Sequence, residues 1–259
     1  DTGVMVISSG ALHIATITIQ NTPFVPANPE CPTLPEPIIG GNGGIETLIY
    51  DGESDGETGA DTLVVRGDGF GVADLFRHRP GAAADAGSVD VSSDGVTLLG
   101  ISYQNLTVAG SVRVDGLTGD DRLVAQGTAD ADVLTASFTA SNAISIALAN
   151  SLGPHVPLAS ANVENYRLET FEGDDVVNLS GIVNATGEFL LFGGSPGASD
   201  LLVLLAPSVA SVSTTITPNT ADPTQTDITD YGAPVIAVKG FEEILFDGAG
   251  TGASGDNLT

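Results

Sequence analysis

Residues 111–124, with the sequence SVRVDGLTGDDRLV, decide the fold of this chain. Apolar and polar residues alternate on both sides of a short segment of glycine and aspartate, which is the pattern of two β-strands joined by a turn. Glycine accepts the positive-φ backbone that a tight turn requires, and aspartate accepts hydrogen bonds from turn backbone. The stretch therefore predicts a strand–turn–strand unit.

Similar units recur at intervals of about sixty residues. Each joins an apolar strand to a Gly/Asp turn and a second apolar strand, within residues 46–65, 111–124, 164–179 and 241–256. Repeats of this kind bury their apolar faces only by stacking on a neighbour. We therefore expect an all-β fold, either a repeat-built β-solenoid resembling a parallel β-helix or a stacked β-sandwich. The solenoid is preferred because hairpin dipeptides are not obvious at the turns.

Three segments are expected along the chain. Residues 1–22 form an N-terminal β arm, which either pairs with another copy by strand addition or packs against its own body. Residues 23–37 carry proline at every third position, which predicts an extended polyproline-type linker. Residues 38–259 form the β-repeat body, which we expect to continue beyond residue 259 in a longer protein. Within the body, residues 72–78 are the one candidate helix.

Composition limits the partners and the interior. The chain has 33 acidic and seven basic residues, a net charge of −26, so it lacks the basic patch that nucleic acid requires. Cations are its natural counter-charge, although acidity also serves solubility. No apolar run approaches a membrane span. Because aromatic residues make up only 5% of the chain, the interior is expected to consist of Val, Leu, Ile and Ala.

The acidic turns are the candidate metal sites. Calcium binds six to eight hard oxygen atoms, and a tight glycine turn presents backbone carbonyls beside a carboxylate. The alternative is an ordinary turn in which aspartate accepts hydrogen bonds from backbone amides. The residues predicted to contribute to calcium sites are Asp61, Gly119, Asp120, Asp121, Asp130, Asp132, Asp174 and Asp175.

Three of these turns resemble the RTX nonapeptide repeat, GGxGxDxUx. Residues 116–124 match it except for Leu117, residues 56–64 match it except for Glu57, and residues 127–135 follow almost in tandem. The chain differs from RTX proteins because its turns are mostly solitary, whereas RTX turns stack and share each ion. The resemblance implies bound Ca²⁺. The chain is also similar to the strand and GDD-turn repeats of bacterial or archaeal surface and secreted proteins.

These features predict an extracellular or cell-surface structural protein without enzymatic activity, such as a segment of a surface layer, fibre or adhesin. Its partners would be other copies of the chain, surface-layer or matrix components, or polysaccharide. A calcium-dependent β-helix polysaccharide lyase is the alternative, with Arg122 as the best candidate base. A carbohydrate-binding module is a further alternative, which the lack of Trp disfavours.

Overall fold

The fold is all-β in the part of the chain that the computed structural model describes. The described residues are 3–8, 14–18, 45–51, 61–67, 71–93, 95–106, 109–180, 183–194, 199–205, 213–247 and 257–258. They contain no helix long and apolar enough to cross a membrane.

The strands of the described residues, in chain order, are β1 (Gly3–Ser8), β2 (Ile14–Thr18), β3 (Ile45–Asp51), β4 (Thr62–Arg66), β5 (Asp74–Pro80), β6 (Gly87–Ser93), β7 (Val96–Gln104), β8 (Ser111–Asp115), β9 (Arg122–Gln126), β10 (Val133–Ala140), β11 (Ala143–Asn150), β12 (Gly153–Pro154), β13 (Leu158–Ala161), β14 (Asn165–Glu169), β15 (Val176–Ser180), β16 (Val183–Asn184), β17 (Phe189–Phe192), β18 (Leu201–Leu205), β19 (Ser213–Pro218), β20 (Gln225–Thr229), β21 (Gly232–Ala233), β22 (Ile236–Lys239), β23 (Glu243–Asp247) and β24 (Asn257–Leu258).

Two large mixed sheets contain nearly all of these strands. Sheet I has the order β1-β3-β7-β6-β5-β9-β14-β17-β22-β20-β19-β24, and sheet II has the order β2-β4-β8-β13-β11-β10-β15-β18-β23, with β12 paired to β11. Strands β16 and β21 form a separate short pair.

The chain alternates between the two sheets. A strand of sheet I is followed in sequence by a strand of sheet II at β3–β4, β9–β10, β14–β15, β17–β18 and β22–β23. Successive strands within one sheet then pair in parallel, as β9, β14, β17 and β22 do in sheet I. Antiparallel hairpins are inserted between these units, for example β5–β6–β7 and β10–β11. The predicted strand–turn–strand unit is confirmed at β8–β9 and at β14–β15, and β9 pairs in parallel with β14. The turns predicted within residues 46–65 and 241–256 lie outside the described residues.

Aligned columns of side chains form the core. The parallel register of sheet I places Phe76, Leu123, Tyr166, Phe189 and Ile236 side by side on five strands. All five are at most 1% exposed. Most buried hydrophobic residues are Val, Leu, Ile and Ala, as expected, but the largest fully buried side chains are aromatic, which the composition did not predict.

The helix predicted for residues 72–78 is also wrong, because β5 occupies this segment. Asp74, Phe76 and His78 are buried, and the residues between them are partly exposed, which is the two-residue period of a strand. Hydrogen bonding to β6 on one side and β9 on the other fixes the extended backbone.

The N-terminal strands are the first level of both sheets. β1 pairs in parallel with β3, and β2 pairs in parallel with β4. This pairing matches the alternative in which residues 1–22 pack against their own body. Residues 23–37, the predicted linker, lie outside the described residues, and the division into arm, linker and body stays a prediction.

Candidate functional site: the stacked acidic turns

The predicted metal residues divide into two groups by burial. Asp61, Asp121, Asp132 and Asp175 are buried, each at most 8% exposed. The remaining residues, Gly119, Asp120, Asp130 and Asp174, are exposed. Each buried aspartate immediately precedes a strand, so its side chain lies at the corner where the chain enters a sheet.

One row of these corners, here named the sheet II ladder, consists of Asp132, Asp175, Asp200 and Glu242. The N–H of Asp132 donates to Oδ1 of Asp175 at 2.8 Å, and the N–H of Asp175 donates to Oδ1 of Asp200 at 2.9 Å. The N–H of Asp200 donates to Oε2 of Glu242 at 2.8 Å. The carboxylates of Asp175, Asp200 and Glu242 thus each accept a hydrogen bond from the backbone of the preceding level, in addition to the bonds between the strands themselves.

A second row, the sheet I ladder, contains Asp74, Asp121 and Glu164. The N–H of Asp74 donates to Oδ1 of Asp121 at 2.8 Å, and the N–H of Asp121 donates to Oε2 of Glu164 at 3.0 Å. The same arrangement therefore occurs at the corners of both sheets. These bonds join residues that lie 43 or 47 positions apart in sequence.

Glycines make room for the ladders. Gly119 and Gly173 have φ values of 150° and 126°, in the region that favours glycine. A Cβ at Gly119 would lie 2.4 Å from the carbonyl oxygen of Val72, and one at Gly173 would lie 2.6 Å from that of Asp130. The turn glycines are therefore required for the close approach of adjacent levels as well as for the turn conformation.

Two of the exposed aspartates, Asp120 and Asp174, also accept hydrogen bonds. Oδ1 of Asp120 accepts from Nδ2 of Asn165 at 2.7 Å, and Oδ1 of Asp174 accepts from the N–H of Ser199 at 3.0 Å. Asp132 additionally accepts from the hydroxyl of Thr128 in its own turn at 2.9 Å. These carboxylates thus accept hydrogen bonds within their own turn and across levels, which matches the ordinary-turn alternative and leaves calcium as a prediction.

Stacking buried carboxylates perturbs their ionisation. Burial raises the pKa of Asp175 from 3.8 to about 6, and the negative charges of Asp132 and Asp200 act in the same direction. Burial also raises the pKa of Asp200. Oδ2 of each of these two residues is buried and has no hydrogen-bond partner in the described part of the chain. The free energy of the stack therefore depends on pH.

The described residues do not converge on a metal centre. None of their His, Cys, Asp and Glu side chains form a group of three or more positioned to hold an ion. The buried carboxylates direct one oxygen at backbone amides, whereas calcium requires six to eight oxygens around one point. The described donors do not fit a shared calcium ion of the RTX kind, and Ca²⁺ stays a prediction from the sequence.

Several ladder residues were missed by the sequence reasoning. Asp74, Asp200, Glu164 and Glu242 take part in the ladders, but none of them was a candidate. A usable signal was present, since each acidic residue lies within a residue of the start of a strand. Comparison with protein-family models, with curated proteins and with solved structures gives no match to this chain.

Proposed function

We propose that this chain is an extracellular structural protein, a segment of a surface layer, fibre or adhesin, built as a two-sheeted solenoid. The observation that carries the proposal is the pair of carboxylate ladders, which join successive levels at their corners, from β5 to β14 in sheet I and from β10 to β23 in sheet II. A buried amide that loses its acceptor costs about 1–3 kcal/mol, so each of these hydrogen bonds opposes separation of the two levels that it joins. A stack held both along its strands and at its corners resists separation of its levels.

The net charge of −26 supports a location outside the cell. High acidity keeps a protein soluble and limits nonspecific association where it is exposed at high local concentration. The stacked unit can be repeated without a change of architecture, because each level contacts its neighbours only. Other copies of the chain or matrix components are the partners that such a unit would have.

The lyase alternative receives no support from the position of Arg122. Its guanidinium Nη2 lies 2.7 Å from Oε2 of Glu188, and both side chains are nearly half exposed. A guanidinium must lose a proton before it can act as a base. The adjacent carboxylate stabilises its protonated form, which makes Arg122 a weak candidate. We therefore retain the structural function over catalysis.

Two experiments test the proposal. Antibodies raised against the chain should label intact source cells or their shed matrix, and labelling confined to the cytoplasm would contradict it. In single-molecule pulling, the wild-type chain should unfold at a higher force than a variant carrying Asp121→Ala and Asp175→Ala, whose carboxylates accept amides of the adjacent level. Equal unfolding forces would remove the mechanical role of the ladders.

Calcium is tested separately. If the sequence resemblance holds, the chain should melt at a higher temperature in Ca²⁺ than in chelator. A variant carrying Asp121→Ala and Asp132→Ala should lose most of that rise. Identical curves would remove calcium from the proposal and would leave the ladders as the stiffening element.

A further inference from the structure

A cleft of about 590 Å³ lies on the outer side of sheet I, where β14, β17 and β22 enter their turns. Its lining includes Arg167, Glu169, Phe171, Phe192 and Lys239. None of these residues belongs to the ladders. The cleft therefore presents a surface that the scaffold proposal does not use.

The register of sheet I places part of this lining in one row. Glu169 pairs with Phe192, and Phe192 pairs with Lys239, so the three residues lie at one level on adjacent strands. They alternate with core residues along each strand and thus point away from the core. With a strand spacing of about 4.8 Å, the row is about 10 Å long. A linear oligomer of ring-shaped units fits along such a row better than a single compact ligand does.

The polar groups in the row are held in place by one another. The guanidinium of Arg167 lies 4.1 Å from the ring centroid of Phe192 and forms an ion pair with Glu169. Oε2 of Glu169 accepts a hydrogen bond from Nε2 of Gln126 at 2.6 Å. Lys239 forms an ion pair with Asp222. Because these side chains are already ordered, a ligand that binds them avoids much of the entropic cost of ordering.

Phe171 closes the end of the cleft in an unusual conformation. Its φ is 74°, a region that is a strain for an aromatic residue, and its side chain is 41% exposed. A Cβ at Gly194 would lie 1.4 Å from the Phe171 carbonyl oxygen, so glycine is required beside it. The backbone thus holds an apolar ring towards solvent next to the ordered polar row.

We propose that this cleft binds a neutral oligosaccharide. Sugar rings have an apolar C–H face that packs on a phenyl ring and hydroxyls that both donate and accept, which suits Phe171 beside the Arg167–Glu169 pair. The lining is neutral in sum, since Arg167 and Lys239 are balanced by Glu169 and Glu172. The net charge of −26 repels acidic polysaccharides. The proposal does not depend on the structural function of the chain.

A matched control comes from another turn. Leu117 occupies the position in GLTGDD, residues 116–121, that Phe171 occupies in TFEGDD, residues 170–175. Both residues have positive φ, 64° and 74°, and both are exposed, at 36% and 41%. Leu117 does not line the cleft. Leu117→Ala therefore repeats the local change of Phe171→Ala without altering the cleft.

The test is a glycan array of neutral and acidic oligosaccharides, followed by calorimetric titration of the strongest binder. We expect a neutral oligosaccharide to bind. Phe171→Ala and Arg167→Ala should each weaken binding by about tenfold or more, whereas Leu117→Ala should leave it unchanged. Melting curves establish that each variant is folded. The proposal is overturned if no neutral oligosaccharide binds, if only acidic ones bind, or if both cleft variants bind as the wild type does.

Discussion

Asp175 is the position at which the sheet II ladder can be tested most sharply. Its Oδ1 accepts the N–H of Asp132 at 2.8 Å, its own N–H donates to Asp200, and its side chain is fully buried. Asp175→Ala removes the acceptor of a buried amide, which we expect to cost about 1–3 kcal/mol of unfolding free energy near pH 4, where the wild-type carboxyl is protonated. Asp175→Asn keeps an oxygen acceptor at the same place and removes only the charge.

The two substitutions differ most clearly in their dependence on pH. Because the pKa of Asp175 is raised from 3.8 to about 6, the folded chain binds more protons than the unfolded chain between these values. Ionisation therefore lowers stability as pH rises through this window, by up to about 3 kcal/mol at 1.36 kcal/mol per pKa unit. We expect Asp175→Asn to be more stable than the wild type at pH 8 and equal to it near pH 4.

The measurement is urea unfolding followed by circular dichroism at pH 4, 6 and 8. The control is Asp174→Asn, a neighbouring exposed aspartate, which should change stability little at any of these pH values. Two results would refute the reasoning. One is an Asp175→Asn variant as unstable as Asp175→Ala at pH 8, and the other is an effect of Asp175→Asn that does not change between pH 4 and pH 8.

Two other substitutions test the packing around the ladders. Gly173→Ala should lower the unfolding free energy by about 2 kcal/mol or more, because its Cβ would lie 2.6 Å from the Asp130 carbonyl oxygen. Gly153→Ala should lower it less, because no atom would lie within 4 Å of its Cβ. Equal losses in urea unfolding would contradict this. His155→Leu should raise the unfolding free energy by about 1–2 kcal/mol at pH 7, because both ring nitrogens are buried without a hydrogen-bond partner in the described part of the chain. Burial lowers the pKa of His155. The wild type should therefore lose stability as the pH falls below about 6.5. A variant that loses as much stability in acid as the wild type does would count against the prediction.

Local pattern predicted the strands and turns. The alternation around residues 111–124 and the glycine of each turn are readable because side-chain period and backbone freedom are local properties. Residues 72–78 were misread because Val72, Leu75 and Phe76 also fit one helical face. Pairing of β5 with β6 and β9 decides the outcome, and that pairing is not visible in the segment itself.

The candidate site was predictable only in part. The sequence predicted Asp121, Asp132 and Asp175 as calcium-site residues, which stays a prediction, and the structure places them at the corners of the stack. Their hydrogen-bond partners depend on the number of residues in the inserted hairpins. The partners of Asp175, for example, lie 43 and 25 positions away in the sequence. The cleft was missed for the same reason, because Arg167, Phe192 and Lys239 come from three different strands.

Amide hydrogen exchange tests the ladders most directly. The N–H groups of Asp132, Asp175 and Asp200 donate to carboxylates of the sheet II ladder, so in chelator they should exchange only through global unfolding. Adding Ca²⁺ should change their protection no more than it changes overall stability. Fast exchange of these three amides in chelator, with protection gained only when Ca²⁺ is added, would contradict the conclusion that the carboxylates themselves hold the stack together.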